Sequence, residues 1–502
     1  MNEPESNISG LRKRAIRGGW AMVVSKIVNQ GISFGVVWIQ AHYLPVDQYG
    51  IFGMLLGTVM YISTLGSGGS SDIVRRFLPE FAEEGEKWKI AATVRGVVLV
   101  RFVLSALFLG LTLVFFRYFA GFLDITDYRF AYSFFTLGIL FTVEARLMWV
   151  IYWALLKQVK YSVIFTIYNL LRLVTFYLVL KSGGGLIEAL AVDAGSQIFL
   201  FLALYIPFVA EYPLKKEPHE QDVPVRRLSR FGAFMYFGNF GHILFNTTTD
   251  MYVISAFMDK VSLGYYSFAV NLGRAVMKWM PTKLVGSVIE SVVMRDYTRR
   301  DSADALPMQF SKIVTAEAFF VIPSTVFMLT YASPLIREVF GTKFLPAENI
   351  LRGLAVVFAV SSLKFPLEIV ARALEKAKLL FYTQVFFAVY NLVGDLILIP
   401  RIGLWGAVLA TGSSHLLVVV TIWIILGGEV SLPLEKIPLL KIAATAFLMG
   451  IFFHFPAKEV ASVWSFIGCF LAGGLLYLIL TAVNPPYPGD VLKRYFRGIM
   501  GR

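Results

Sequence analysis

About fourteen stretches of predominantly apolar residues follow one another between Gly19 and Val483, each roughly twenty residues long, the length an α-helix needs to cross a bilayer. They are too long and too uniformly apolar for the alternating strands of a barrel. The sequence therefore predicts an all-α, polytopic membrane bundle. The expected spans are residues 19–42, 48–70, 91–117, 128–157, 160–181, 185–210, 229–257, 262–293, 310–338, 347–374, 378–400, 404–427, 436–455 and 461–483.

Basic residues are distributed unevenly among the connections between these spans. Roughly 28 of the 46 Lys and Arg lie in alternate connections that include both termini, against roughly 8 in the intervening ones, so the positive-inside rule predicts cytoplasmic termini. The net charge of +13 is explained by this topology and does not call for nucleic acid as a partner. We expect a multi-pass protein of the cell (plasma or inner) membrane.

Several classes of chemistry lack the residues they need. Cys469 is the only cysteine and the five histidines are scattered, so no metal site is predicted. The glycine-rich run 66–71 lacks the Gly-Lys-Ser/Thr ending of a phosphate loop, and we interpret it as a flexible end to the second helix. External connections are short and no paired-carboxylate motif is present, which argues against an enzyme. No cofactor is expected.

An internal repeat divides the chain into two halves. Tyr168-Asn169-Leu170 recurs at residues 390–392, Gly185-Leu186 recurs at residues 403–404, and Gly50 matches Gly264. Nearly constant offsets predict two parallel six-helix repeats around a cavity, followed by two further helices. The expected domains are an N-terminal cytoplasmic tail (1–18), an N-lobe (19–210), a linker (211–228), a C-lobe (229–427), accessory helices (428–483) and an amphipathic cytoplasmic tail (484–502).

Short motifs in family order carry a resemblance to a known group of transporters. The segments are Tyr43–Phe52, Arg75–Phe81, Val261–Tyr266, Phe340–Leu351 and Leu398–Ala407. Together they resemble the oligosaccharide (polysaccharide) flippases of the multidrug/oligosaccharidyl-lipid/polysaccharide transporter superfamily. The resemblance covers about residues 12 to 430 and is weakest over the last two helices.

The resemblance implies a flippase that moves a polyprenyl-(pyro)phosphate-linked oligosaccharide from the inner to the outer leaflet by alternating access. Its partners would be this substrate, membrane lipids, and the glycan polymerase and glycosyltransferases of the same pathway, and the protein would be a monomer. One alternative is a multidrug and toxin extruder that exchanges organic cations for ions. The other, disfavoured by the short external loops, is a membrane glycosyltransferase or polymerase.

Ionisable residues within the spans are the candidate site residues, because each costs about 2.5–3.5 kcal/mol at the bilayer centre. The basic ones are Lys26, Arg95, Arg101, Arg146, Arg172, Arg274, Lys278, Lys283, Arg352 and Lys364. The acidic ones are Glu144, Glu188, Asp193, Asp250, Glu290, Glu317, Glu368 and Asp395. Lys364, Glu368 and Arg372 follow at intervals of four and can neutralise one another along one helix face.

Arg274 and Lys278 are two like charges on one helix face, and no acid follows until Glu290. They are predicted to bind the substrate or to be neutralised by Asp250, which follows the polar run from Asn246 to Thr249. Both possibilities stay open at this point.

Arg146 and Arg172 are the corresponding candidates in the first half. A guanidinium suits a pyrophosphate because it donates two parallel hydrogen bonds. Buried ion pairs between helices are the rival explanation. Trp149, Tyr152 and Trp153 lie near Arg146 and would stack on a sugar or anchor the helix at the interface.

Two further features concern helix shape and the membrane surface. Pro281, Pro323 and Pro366 should kink the eighth, ninth and tenth helices. Apolar stripes at residues 73–81 and 491–499, each beside basic residues, predict interfacial helices on the inner leaflet.

Overall fold

The structure is a computed structural model that describes residues 25–122, 126–215, 222–238, 247–280, 305–454 and 460–486, with residues 282, 283, 286, 289, 290 and 293. The described residues form helices joined by short turns. The helices are α1 (residues 25–43), α2 (Val46–Gly57), α3 (Val59–Leu65), α4 (Ser70–Glu83), α5 (Lys87–Val114), α6 (Phe116–Phe122), α7 (Arg129–Ala154), α8 (Gln158–Lys181), α9 (Leu186–Glu211), α10 (Val225–Gly238), α11 (Thr247–Phe257), α12 (Lys260–Met277), α13 (Ala305–Pro334), α14 (Glu348–Ser362), α15 (Lys364–Ala373), α16 (Ala377–Ile402), α17 (Leu404–Gly427), α18 (Lys436–His454) and α19 (Val463–Val483).

The predicted all-α membrane bundle is confirmed. Within the described residues, 10 helices are long and apolar enough to cross a membrane. Helix is also present at the first, seventh, eighth and thirteenth expected spans, which is compatible with fourteen. The termini, 1–18 and 491–499 included, lie outside the described residues.

Three of the expected spans are broken rather than continuous. The second span ends at Leu65, turns through residues 66–69 and restarts as α4. The eighth has a turn at residues 278–280, directly before Pro281 in the sequence, and the tenth is interrupted at Leu363, before Pro366. The ninth runs through Pro323 as one helix from Ala305 to Pro334.

The glycine-rich turn after α3 is closely packed, which corrects the expectation of a flexible helix end. Gly68 and Gly69 have φ values of 52° and 74°, a conformation that glycine adopts without steric cost. A Cβ on Gly69 would lie 2.0 Å from the carbonyl oxygen of Gly232 in α10. The turn therefore needs glycine for its backbone angles and for close approach to another helix.

Contacts divide the chain into two compact units, residues 1–264 and 265–502. In the first unit the apolar stripe of α4 is buried against α5, α7 and α10, with Phe77 and Leu78 among its members. The expectation that this stripe lies on the lipid surface was therefore wrong. Its apolar face covers the protein core, while Arg75 and Arg76 stay exposed.

In the second unit α17 packs against α14, α15 and α16, and α18 packs against α13. The last helix, α19, packs on α18, and its Tyr477 hydroxyl donates to the carbonyl of Phe319 in α13 at 2.9 Å. The two helices added after the repeat are thus anchored on the ninth span.

The internal repeat is visible in the turns of each unit taken by itself. Leu156 and Glu375, 219 positions apart, both have positive φ values, 55° and 57°. The next amide in each case bonds back to a carbonyl five residues earlier, at 2.8 Å. Lys157 pairs with Glu211 in the first unit, and Lys376 pairs with Glu429 in the second. The same αL turn and the same ion pair recur in both halves.

Candidate functional site

Arg146 lies on α7, about two turns before its end at Ala154. It is exposed, and it makes no hydrogen bond or ion pair with the part of the chain that the structure describes. Tyr161 and Tyr168 of the neighbouring α8 lie close enough to interact electrostatically with its guanidinium. A cation in this setting is available to an anion.

Arg172, the other first-half candidate, is engaged inside the protein. Its Nη2 lies 2.7 Å from a carboxylate oxygen of Asp193 on α9, and its guanidinium stacks over Phe176. A pocket of about 490 Å³ opens beside it, lined by Tyr168, Thr175 and Ser196 among others. The ion pair between helices foreseen as the rival explanation is thus present, and Arg172 shapes one wall of this pocket.

The aromatic residues near Arg146 fall into two groups. Tyr161, Phe165 and Tyr168 form a stacked column along α8, with ring centroids 5.4 and 5.6 Å apart. Tyr152 is buried and its hydroxyl donates to the carbonyl of Leu204 at 2.9 Å, so it belongs to the core. Trp149 is exposed on the same helix as Arg146. The column on α8 was not predicted, although its spacing of four and three residues is visible in the sequence.

The remaining predicted site residues occupy helix ends. Asp250 is fully buried in the first turn of α11. Arg274 is half-buried in the last turn of α12, and Lys278 is exposed in the turn that follows. Asn246 lies outside the described residues. The structure thus places two of the predicted cations where the eighth span breaks.

Two buried charged residues in the first unit were named from the sequence only as ionisable groups within the spans and were not assigned to the substrate-binding set. Arg101 on α5 donates from Nη1 to the hydroxyls of Ser70 and Ser71, at 3.0 and 3.3 Å. Glu144 on α7 is fully buried, and both of its carboxylate oxygens lack a hydrogen-bond partner within the described chain. It interacts electrostatically with Arg101. Their only signal in the sequence was a charge inside a span.

Charged residues in the second unit also contact one another near helix breaks, one of them buried and the others at the surface. Glu317 on α13 accepts hydrogen bonds from the hydroxyl and the amide of Thr282, at 2.7 and 3.3 Å. Arg372 pairs with Glu368 at 3.1 Å and with Glu290 at 2.7 Å. The predicted pairing of Glu368 with Arg372 is confirmed, and Glu290 joins it.

These residues hold no arrangement suited to covalent chemistry. Across the described chain no three His, Cys, Asp or Glu side chains come together as metal ligands. The groups present are an exposed arginine, tyrosine hydroxyls and stacked rings. Such groups bind phosphate oxygens and sugar faces through hydrogen bonds and stacking.

The chain is similar to known proteins over most of its length. A family model described as polysaccharide biosynthesis protein matches residues 15–282. Among curated proteins, a probable low-salt glycan biosynthesis flippase from Haloferax volcanii is 23% identical over 496 residues, covering 96% of this chain and 98% of that protein.

Solved structures of the same fold include two transporters. The lipid II flippase MurJ in an inward closed conformation superposes with a TM-score of 0.71 at 17% identity, over 93% of this chain and 98% of that one. An inward-facing multidrug resistance MATE family transporter of the MOP superfamily superposes with a TM-score of 0.65 at 12% identity, over 88% and 100% of the two chains.

Proposed function

Because the chain belongs to the polysaccharide biosynthesis protein family, we propose that it is a flippase for a lipid-linked oligosaccharide. It moves a polyprenyl-(pyro)phosphate-linked glycan from the inner to the outer leaflet of the cell membrane by alternating access. The Haloferax volcanii relative, described as a probable glycan biosynthesis flippase, supports the glycan as cargo. The reaction involves no covalent step, and the monomer acts beside the enzymes that build and polymerise the glycan.

The setting of Arg146 is the main observation that supports this proposal. An exposed guanidinium within a membrane span, with no acidic partner in the described chain, is unfavourable unless an anion visits it. A pyrophosphate supplies that anion and accepts two parallel hydrogen bonds. The partly exposed rings of Tyr161 and Phe165 offer surfaces for sugar units nearby, and the buried Tyr168 supports them from below the stack. An extruder of organic cations gains nothing from a cation at this position.

Arg274 and Lys278 complete the proposed substrate-binding set, together with Asp250, Asn246 and Arg172. Arg172 serves the set by supporting the pocket wall that its bond to Asp193 holds in place. Arg274 and Lys278 lie at the interruption of the eighth span. A ligand could reach side chains and backbone groups there that a continuous helix would cover. Asp250 would balance their charge when no substrate is bound.

Reconstitution into liposomes tests the proposal with a defined probe. The probe is a fluorescent short-chain polyprenyl-pyrophosphate trisaccharide, and the measurement is its exposure to a lectin added outside. Arg146→Ala should lose about 1.5–3 kcal/mol of binding, a roughly ten- to hundredfold rise in the half-saturating concentration. Arg146→Lys should be affected less, and Arg274→Gln with Lys278→Gln should also lose transport.

Arg75→Ala is the matched control, because Arg75 is equally exposed but lies on α4, outside the candidate spans. It should leave transport unchanged. If liposomes with wild-type protein do not expose the probe but do release a cationic dye, the flippase proposal is wrong and the protein is an extruder of organic cations. Normal transport by Arg146→Ala at normal protein levels would remove Arg146 from the site.

A further inference from the structure

In each half of the sequence repeat, the second span is interrupted and a new helix, here called the restart, begins after the interruption. In each half, a buried charged residue on the third span forms hydrogen bonds to the first residues of this restart. In the first unit the restart is α4, held by Arg101 of α5. In the second unit the first described residue of the restart is Thr282, held by Glu317 of α13. Glu317 follows Arg101 by 216 positions, within the range of repeat offsets. The two devices therefore correspond, but their charges are opposite.

In the second unit the negative charge of Glu317 is electrostatically favourable beside the amide of Thr282. Thr282 is the first described helical residue after the turn at 278–280, so its amide is one of the unpaired donors of a helix N-terminus. Glu317 accepts from that amide and from the Thr282 hydroxyl, as a capping residue would. A carboxylate is also the charge that the helix dipole favours at this end. Both side chains are buried.

In the first unit the positive charge of Arg101 is electrostatically unfavourable at the N-terminus of α4. Ser70 and Ser71 open α4, so the guanidinium of Arg101 lies at the electropositive end of a helix dipole. Arg101 is buried, and its Nε has no hydrogen-bond partner within the described chain. This arrangement is weaker than its counterpart in the second unit.

Arg101 also has a second acceptor within electrostatic range. Glu144 is buried with neither carboxylate oxygen hydrogen-bonded by the described residues, so a bond from Arg101 would satisfy both groups. Moving to Glu144 would release Ser70 and Ser71. The guanidinium thus has two alternative partners, one on α4 and one on α7.

We propose that Arg101 and Glu317 are positioning residues for transport, and that the first-unit restart is the one that rearranges during the cycle. Arg101 holds α4 while it bonds Ser70 and Ser71, and releases α4 when it bonds Glu144. Glu317 keeps the second-unit restart fixed. The link to transport rests on the proposed flippase function, whereas the movement of α4 does not.

Distances between spin labels test the movement without any substrate. Labels at Glu83→Cys and Val159→Cys, in a Cys469→Ala background, report the end of α4 against the start of α8; both sites are exposed. Arg101→Gln should broaden the distance distribution or shift it by several ångströms. Glu144→Leu, which removes the alternative acceptor, should narrow it. Glu317→Gln should leave it unchanged.

Serine variants keep the test decisive if Arg101→Gln does not fold. Ser70→Ala with Ser71→Ala removes the acceptors on α4 while leaving every charge in place, and should broaden the distribution in the same way. Distributions identical to wild type in both the arginine and the double serine variants would overturn the proposal. So would an equal broadening by Glu317→Gln.

Liposome transport of the same polyprenyl-pyrophosphate probe then tests the positioning role. Arg101→Gln should slow the maximal rate by roughly tenfold with little change in half-saturation, because Arg101 does not touch substrate. Arg101→Lys should recover part of the rate. A changed half-saturation at an unchanged maximal rate would contradict positioning. Failure of wild-type protein to move the probe would defeat the proposed function, while the spin-label distances would still decide the role of Arg101.

Discussion

Arg146 and Arg172 lie on neighbouring helices and carry the same group, yet only Arg172 has an acidic partner among the described residues. Asp193 on α9 forms an ion pair with Arg172, while no described acidic residue forms one with Arg146. Sequence spacing finds partners along one helix, as it did for Glu368 and Arg372. It cannot find a partner across two helices, because that depends on how they pack. The two arginines were therefore indistinguishable before the structure.

Glu80 illustrates a residue whose surroundings set a pH dependence outside the spans. It lies on α4 and accepts hydrogen bonds from Arg227 of α10 and from Arg76, both at 2.8 Å. The hydrogen bond from Arg227, and the positive charges of both arginines, hold the pKa of this carboxyl below its ordinary value. Its ion pairs therefore stabilise the folded state at neutral pH.

We expect this contribution to disappear in acid. A depressed folded-state pKa means that the contribution is complete above the unfolded pKa of about 4.3 and is lost as the pH falls through the lower folded value. Glu80→Gln should melt earlier than wild type at pH 7, and the two melting curves should converge at lower pH. Thermal unfolding in detergent across this range is the measurement. A difference in melting temperature between wild type and Glu80→Gln that grows as the pH falls would contradict a stabilising role for the Glu80 ion pairs.

At the scale of single elements, the paired turns after α7 and α15 show how the repeat preserves geometry without preserving residues. Leu156 and Glu375 both adopt the left-handed conformation, although neither is glycine. The backbone bond that follows each of them closes the helix end. Each turn therefore keeps its shape through hydrogen bonding and carries steric strain at one residue.

Glycine at these two positions should stabilise the protein. Relief of the left-handed strain is worth about 1 kcal/mol at each site, reduced by the greater freedom of glycine in the unfolded chain. Leu156→Gly and Glu375→Gly should each raise the unfolding temperature. Leu156→Ala serves as the control, because alanine keeps the Cβ responsible for the strain. A lower unfolding temperature in both glycine variants would show that the side chains hold the turns.

For the whole molecule, the helix positions were predictable because hydrophobic length is a property of the chain itself. The described helices fall at the expected spans, and the αL turns recur at the offsets of the repeat. The breaks were foreseen only where a proline follows, before Pro281 and Pro366. The break at Gly66–Gly69 depends on contact with α10, and the burial of the α4 stripe depends on α7 and α10. Neither contact is written in the local sequence.

Both termini are proposed to lie in the cytoplasm, on the basis of the distribution of Lys and Arg. A reporter that fluoresces only in the cytoplasm, fused after Arg502, should be bright. The same reporter fused after Gly183, in the predicted external turn between α8 and α9, should be dark and is the control. A dark but fully expressed fusion at Arg502 would contradict the orientation and an even number of spans.

The buried face of α4 also constrains how the polypeptide matures on the ribosome. The helix packs partly against α7 and α10, and Phe77 contacts the ring of Phe231 on α10; both of these helices are synthesised well after α4. Until α7 and α10 have emerged, a nascent chain carries an amphipathic segment whose apolar side is covered only in part, by α5. The segment must wait at the membrane surface or with a chaperone. The packing around α4 is therefore complete only after α10 has been synthesised.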